Sequence, residues 1–231
     1  MSETQDFERY WHSKFSNCIL GMAGAEVARK TMGGSEALSS SSGPEEIIRW
    51  TQLAMTRLEE LVGEELTRQI MTGCACSYPS ADLQDVRKRY EKTRNVKIAH
   101  QMLQSKFESF LRGTLGLEED LVEEVVSLGW GLAGEIQNDK IIATKIPKSG
   151  FLEQYVREED PERRKRYYCH CPRVREALAL SETIPTTYCY CGAGFYKGIW
   201  EEILQVPVEV EVLETVLHSG DVCKIAIHLP Q

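Results

Sequence analysis

The chain lacks the signatures of several common chemistries. Its 231 residues contain no apolar run approaching the ~20 that a bilayer crossing needs. Its opening, MSETQDFERYW, has no basic segment leading into an apolar one. Together these predict a protein that neither spans a membrane nor is secreted, in a reducing, cytoplasmic setting. Positive charge is also short: 27 Lys and Arg stand against 35 Asp and Glu, a formal net charge of -8. That balance argues against nucleic acid as the partner. The one basic run, Arg163-Arg164-Lys165-Arg166, follows the acids of EEDPE and reads as a solvated surface. No glycine-rich phosphate loop, Gly-x-Ser-x-Gly elbow or His-Glu-x-x-His helix is present, so nucleotide-dependent chemistry has no support.

Cysteine, in contrast, is plentiful. Eight cysteines include three Cys-x-Cys pairs, Cys74/Cys76 in GCACS, Cys169/Cys171 in YCHCP and Cys189/Cys191 in YCYCG. Chance at this frequency would give about 0.3 such pairs. In a reducing compartment they point to metal or redox chemistry rather than a disulfide framework. The spacing is neither the Cys-x2-Cys of zinc knuckles nor that of ferredoxins. Soft thiolates gathered with a carboxylate or histidine suit zinc better than calcium or magnesium. Cys18, alone on a helical stretch, reads as an ordinary buried thiol.

The first half of the chain reads as helical. Phe7, Tyr10, Trp11, Phe15, Ile19 and Met22 recur near helical spacing over 4–30, a loop follows at 33–44, and a second helix opens at Pro44-Glu45-Glu46 and runs to about Met71. The first cysteine pair falls in the turn beyond it. Residues 81–112 predict one long helix, or two broken at Asn95, and 117–129 a shorter one. His12 and His100 lie in these helices without sequence partners and read as structural.

After Gly134 the pattern turns to β. KIIATKI (140–146) and KRYYCHC (165–171) read as strands, PRVREALAL (172–180) and the segment from 188 to about Gln205 as helices, and 206–217 with 222–229 as a hairpin. The predicted class is α+β, with a helical part at 1–134 and a cysteine-rich part at 135–231, or one continuous domain.

Alternation in a strand would put Cys169 and Cys171 on one face, able to chelate together. A helix N-terminus stabilises thiolates, so Cys189 and Cys191 are predicted to have lowered pKa values. Cys191, Gly194 and Gly198 leave a stripe nearly free of side chains. It either lets the helix lie close against a neighbour or admits a ligand walled by Phe195, Tyr196 and Trp200. In the hairpin, strict alternation places Glu214 on the apolar face diagonal to Cys223, unless a bulge turns it outward.

The order Cys169-His170-Cys171-Pro172, Cys189 with Gly194, Pro207-Val208-Glu209-Val210, Glu214 and Gly220-Asp221-Val222-Cys223 resembles the vinyl-reductase-type small-molecule-binding domain over roughly 140–231. That family is related in fold to the TRAPP vesicle-tethering subunits. The layout is also similar to the L-2-amino-thiazoline-4-carboxylic acid hydrolase family. The first resemblance implies helices packed on an antiparallel sheet, a small apolar ligand and often a homodimer. Its phenol-sensing members also imply a zinc site. Cys189, Glu214 and Cys223 match three zinc-ligand positions, while the fourth falls on Leu217, which cannot ligate, with His218 beside it.

The resulting expectation is a small-molecule-binding protein for an apolar or heterocyclic molecule. Zinc would be held among Cys169, Cys171, Cys189, Cys191 and Cys223. The pocket would be formed by Gly194, Phe195, Gly198, Glu214, His218, Cys74 and Cys76. The alternative is a metal- or thiol-dependent hydrolase of a small C–N or C–S ring compound, with a zinc-activated water, Cys189 or Cys191 as nucleophile and Glu214 moving the proton. A third reading is a thiol redox sensor.

Overall fold

A computed structural model describes residues 3–38 and 42–230, with side chains from residue 8 onward. The side chain of Phe7 and residues 39–41 of the predicted loop fall outside this description. The architecture is α+β: a helical first half, then a four-stranded antiparallel sheet with further helices. No helix among the described residues is long and apolar enough to cross a membrane.

Helices α1 (Glu3–Met32) and α2 (Pro44–Gly73) pack against each other. Each is bent at a glycine with positive φ, Gly24 at 87° and Gly63 at 79°, conformations that a side chain would strain. The start of α2 is fixed by Pro44 in its first turn and by Glu46, whose Oε2 accepts from the Gly43 N–H at 3.2 Å. Asn95 does break the next helical stretch. Its side chain caps α4 (Val96–Gly113) by accepting from the Lys97 N–H at 2.9 Å, and Arg94 ends α3 (Gln84–Thr93) in the left-handed region. A shorter helix, α5 (Glu119–Ser127), completes the first half.

The sheet has the order β1-β2-β4-β3, from β1 (Glu135–Gln137), β2 (Lys140–Thr144), β3 (Glu209–Glu214) and β4 (Lys224–His228). Three consecutive β4 residues, Ile225, Ala226 and Ile227, are buried, so this inner strand is covered on both faces. Each buried isoleucine contributes about 2 kcal/mol. One apolar cluster takes Trp11, Phe15 and Ile19 from α1, Met55 and Leu58 from α2, and Ile225 and Ile227 from β4. It also includes Ile199 and Trp200 of α9 (Tyr190–Leu204). The boundary drawn at 134 therefore cuts through a shared core.

Residues 165–171 do not form a strand. Most of them belong to α7 (Pro161–Tyr168), which follows the short α6 (Leu152–Arg157). The Asp160 side chain accepts from the Glu162 and Arg163 N–H groups, both at 3.0 Å, and Pro161 occupies the first turn. This cap and proline start outweigh the β preference of Tyr167-Tyr168-Cys169.

Helix α8 (Pro172–Leu180) is tied to α1 through a buried arginine. The Arg173 guanidinium ion-pairs with Glu8 and lies 3.7 Å from the Trp11 ring centroid and 5.6 Å from that of Trp50. His12 stacks beside Trp50 with centroids 4.5 Å apart, and His100 Nε2 bonds the Gly134 carbonyl at 2.6 Å. Both histidines are therefore engaged in packing or backbone contacts.

Candidate functional site

Crossings of the chain, tied by backbone and side-chain hydrogen bonds, bring the C-terminal thiols together. The Lys145 N–H, just past β2, donates to the Cys223 carbonyl at 2.9 Å, continuing the β2–β4 pairing by one step. The Tyr168 hydroxyl at the end of α7 donates to the Lys145 carbonyl and accepts from the Cys223 N–H at 2.9 Å. The link between α7 and α8 is then laid over the same stretch. The Lys148 N–H donates to the Tyr168 carbonyl at 3.0 Å, and His170 Nε2 bonds the Ile146 carbonyl at 2.9 Å. Cys169 and Cys171 thus sit in an extended linker, with φ/ψ of -73/136 and -76/121, rather than on a strand.

Cys189 immediately precedes α9 and Cys191 lies in its first turn. The electrostatic neighbours of Cys189 are Cys223, Cys169 and Cys191, while Lys145 is surrounded by Cys169, Cys223, Cys191 and Cys171. Five of the eight cysteines and one lysine therefore share a neighbourhood. The prediction of lowered pKa values at the α9 entrance is overturned. Burial raises Cys189 well above the ordinary thiol range and pushes Cys191 up to about 12. The helix terminus offers a thiolate at most about 1–2 kcal/mol, less than removal from water takes away. Burial also acts to lower the Lys145 pKa, but the surrounding sulfurs raise it and the net direction is upward.

Beside the thiols lies a cavity of about 330 Å³. Trp11, Tyr78, Phe107, Phe110, Leu132 and Phe195 supply much of its apolar wall, and Cys74, Cys76, Cys171, Cys191 and Lys145 border it. Tyr78 and Phe195 meet edge to face, with centroids 6.2 Å apart. The wall draws on both halves of the sequence. Spacing signalled the cysteines and Phe195, but it could not have marked Lys145, Trp11, Phe107 or Phe110, whose roles depend on chain crossings.

Other predicted site residues lie elsewhere. Glu214 does not reach the apolar interior, because a bulge between Val212 and Glu214 shifts the register and sets it opposite Lys224 rather than Ile225. Its Oε1 accepts from the Asp221 and Val222 N–H groups at 2.9 and 3.3 Å, and its Oε2 pairs with Lys224 at 3.2 Å. His218 approaches Thr215 Oγ1 through Nδ1 at 3.2 Å and does not border the cavity. Gly194 permits close packing, since a Cβ there would lie 2.0 Å from the Thr72 carbonyl oxygen of α2. Gly194 and Gly198 border a separate cleft that includes Ser77 and Glu202.

The donor set is chemically soft enough for zinc. Among the described residues, no three His, Cys, Asp or Glu side chains are placed to hold a metal ion. Glu214 is committed to the hairpin, Leu217 is buried, and an ammonium stands among the thiols.

Cys18 and Cys74 form a separate pair across α1 and the end of α2. Their hydrogen bond, with help from Lys14, lowers Cys18 to about 7 despite partial burial, while Cys74 is raised. Cys18 also borders a surface cleft. Iodoacetamide at a pH of about 7.5 is therefore expected to alkylate Cys18 about a hundredfold faster than Cys189 or Cys191. The Cys18 rate should level off above a midpoint near 7. Peptide mass spectrometry over time reads this order, and Cys189 keeping pace with Cys18 would contradict the buried cluster.

A model of a family of unknown function (DUF6144) matches residues 157–231, the stretch carrying α7, α8, α9, β3 and β4. No curated protein matches the chain, and no solved structure does.

Proposed function

We propose that this chain is a small-molecule-binding protein whose ligand occupies the apolar cavity beside the cysteine cluster. The observation that carries the reading is the cavity itself: about 330 Å³, walled largely by aromatic and aliphatic side chains, with a few polar groups converging on it. A space twice the size of one that accommodates benzene, roughly 150 Å³, has room for one or two rings. The hydrolytic alternative needs an activated nucleophile beside a base. Burial keeps Cys191 protonated, and Glu214 is held by the hairpin loop.

The neutral dye N-phenyl-1-naphthylamine provides the test. Its fluorescence is expected to rise saturably at one equivalent per chain, and occupancy should slow alkylation of Cys191. Gly192 lines the cavity and a Cβ there meets nothing within 4 Å, so Gly192→Phe adds bulk at the wall without an immediate clash. That variant should keep its melting temperature and lose dye affinity by about tenfold or more. Unsaturable binding, or unchanged affinity in a folded Gly192→Phe protein, would remove the pocket from the account.

A further inference from the structure

The cavity contains one electrostatic imbalance. Among the described residues that line it, Lys145 is the only lysine or arginine, and no aspartate or glutamate is present. His170, also on the wall, has its pKa lowered by desolvation and then by Lys145 and Lys148, against the hydrogen bonds it makes to the backbone. Lys145 is half-buried and lines the cavity. Its main-chain groups are satisfied by Cys223 and Tyr168. Among the described residues, its ammonium has neither a hydrogen-bond acceptor nor a carboxylate in ion-pair reach; its electrostatic neighbours are sulfurs. A half-buried ammonium at an apolar wall, with no carboxylate beside it, favours an anion in the adjoining space.

Resting on the reading of the cavity as a ligand pocket, we infer that Lys145 anchors the carboxylate of an aromatic acid whose ring system fills the apolar remainder. The charge count selects the anion: one cation matches a monoanion, whereas a phosphate dianion calls for several donors, commonly arginines. The wall selects the body. Trp11, Tyr78, Phe107, Phe110 and Phe195 line the space with aromatic rings, a setting suited to a flat apolar solute. The thiol of Cys191, kept protonated by burial, borders the same space without adding negative charge that would repel the acid. Nothing in the local pattern marks this pairing, because a lysine at the exit of a strand is ordinarily a solvated end.

Calorimetry with matched probes tests it: 2-naphthoate and its neutral counterpart 2-naphthamide, against the full-length protein and its Lys145→Met variant. The unmodified protein is expected to bind the acid about tenfold more tightly than the amide. Lys145→Met should abolish that preference while retaining the amide, whose binding also shows that the variant is folded. Lys145→Gln, which keeps a polar head without charge, serves if the methionine variant does not fold, and should lose the preference equally. Equal affinity for acid and amide in the unmodified protein overturns the inference and leaves the apolar pocket standing. Retention of the acid preference in either charge-removing variant also overturns it, because the anion is then held elsewhere. Failure of both probes to bind takes the pocket reading down, and the inference with it.

Discussion

Gly194→Ala is expected to cost at least about 3 kcal/mol, the upper part of the range for overpacking a well-fitted interior. The added methyl would lie 2.0 Å from the Thr72 carbonyl oxygen and 2.7 Å from the Ala75 Cβ. Neither obstacle is a flexible side-chain end, so α9 or the last turn of α2 would have to move. Those elements carry Cys191 and Phe195 and lead into Cys74, and displacement opens the cavity as well as the core. Gly198→Ala is the matched control on the same helix, since a methyl added there would meet nothing within 4 Å. That change should be neutral or stabilise by up to about 1 kcal/mol through helix propensity. Urea midpoints for the two variants should fall on opposite sides of the unmodified protein or nearly so. Equal stability of both would mean that α2 and α9 do not touch as described.

Arg173→Ala is expected to destabilise by about 3 kcal/mol, the low end for breaking a buried ion pair because Glu8 remains partly exposed. Three losses combine. The carboxylate of Glu8 is left without its partner, the faces of Trp11 and Trp50 lose the cation between helices, and a void opens where a fully buried side chain stood. Arg173→Met separates these effects, because it refills much of the volume and still orphans Glu8; the double change with Glu8→Gln should recover part of the loss. Chemical denaturation of the unmodified protein, both single variants and the double variant gives the coupling energy. A coupling near zero would show that the arginine acts through its bulk alone.

The helical half was readable because its boundaries carry local chemistry. Pro44, the acids after it and Asn95 each act within one turn, and the apolar stripes of α1 and α2 are long enough to show their period. Even there the stripe was only partly right: Trp11, Phe15 and Ile19 are buried, whereas Tyr10 and Met22 face outward. Legibility was lost where a short cap competed with side-chain preference. Asp160-Pro161 starts a helix through residues whose aromatic character suggested a strand. It was lost again at Glu214, where strict alternation held until one bulge shifted the pairing. Clustering of the thiols could be inferred from type and spacing. Their ionisation could not, because burial depends on the assembled surroundings. The lysine at their centre escaped notice for the same reason.

Strand order gives the matched segment 157–231 a dependence that its continuity conceals. It contains β3 and β4, but the neighbour on β4's other edge is β2, which precedes the segment. Excised alone, it would present the unpaired amides and carbonyls of Ile225 and Ile227 along an apolar rim, a template for intermolecular strand addition. The matched segment thus relies on β2, upstream of it, to cover the edge of β4.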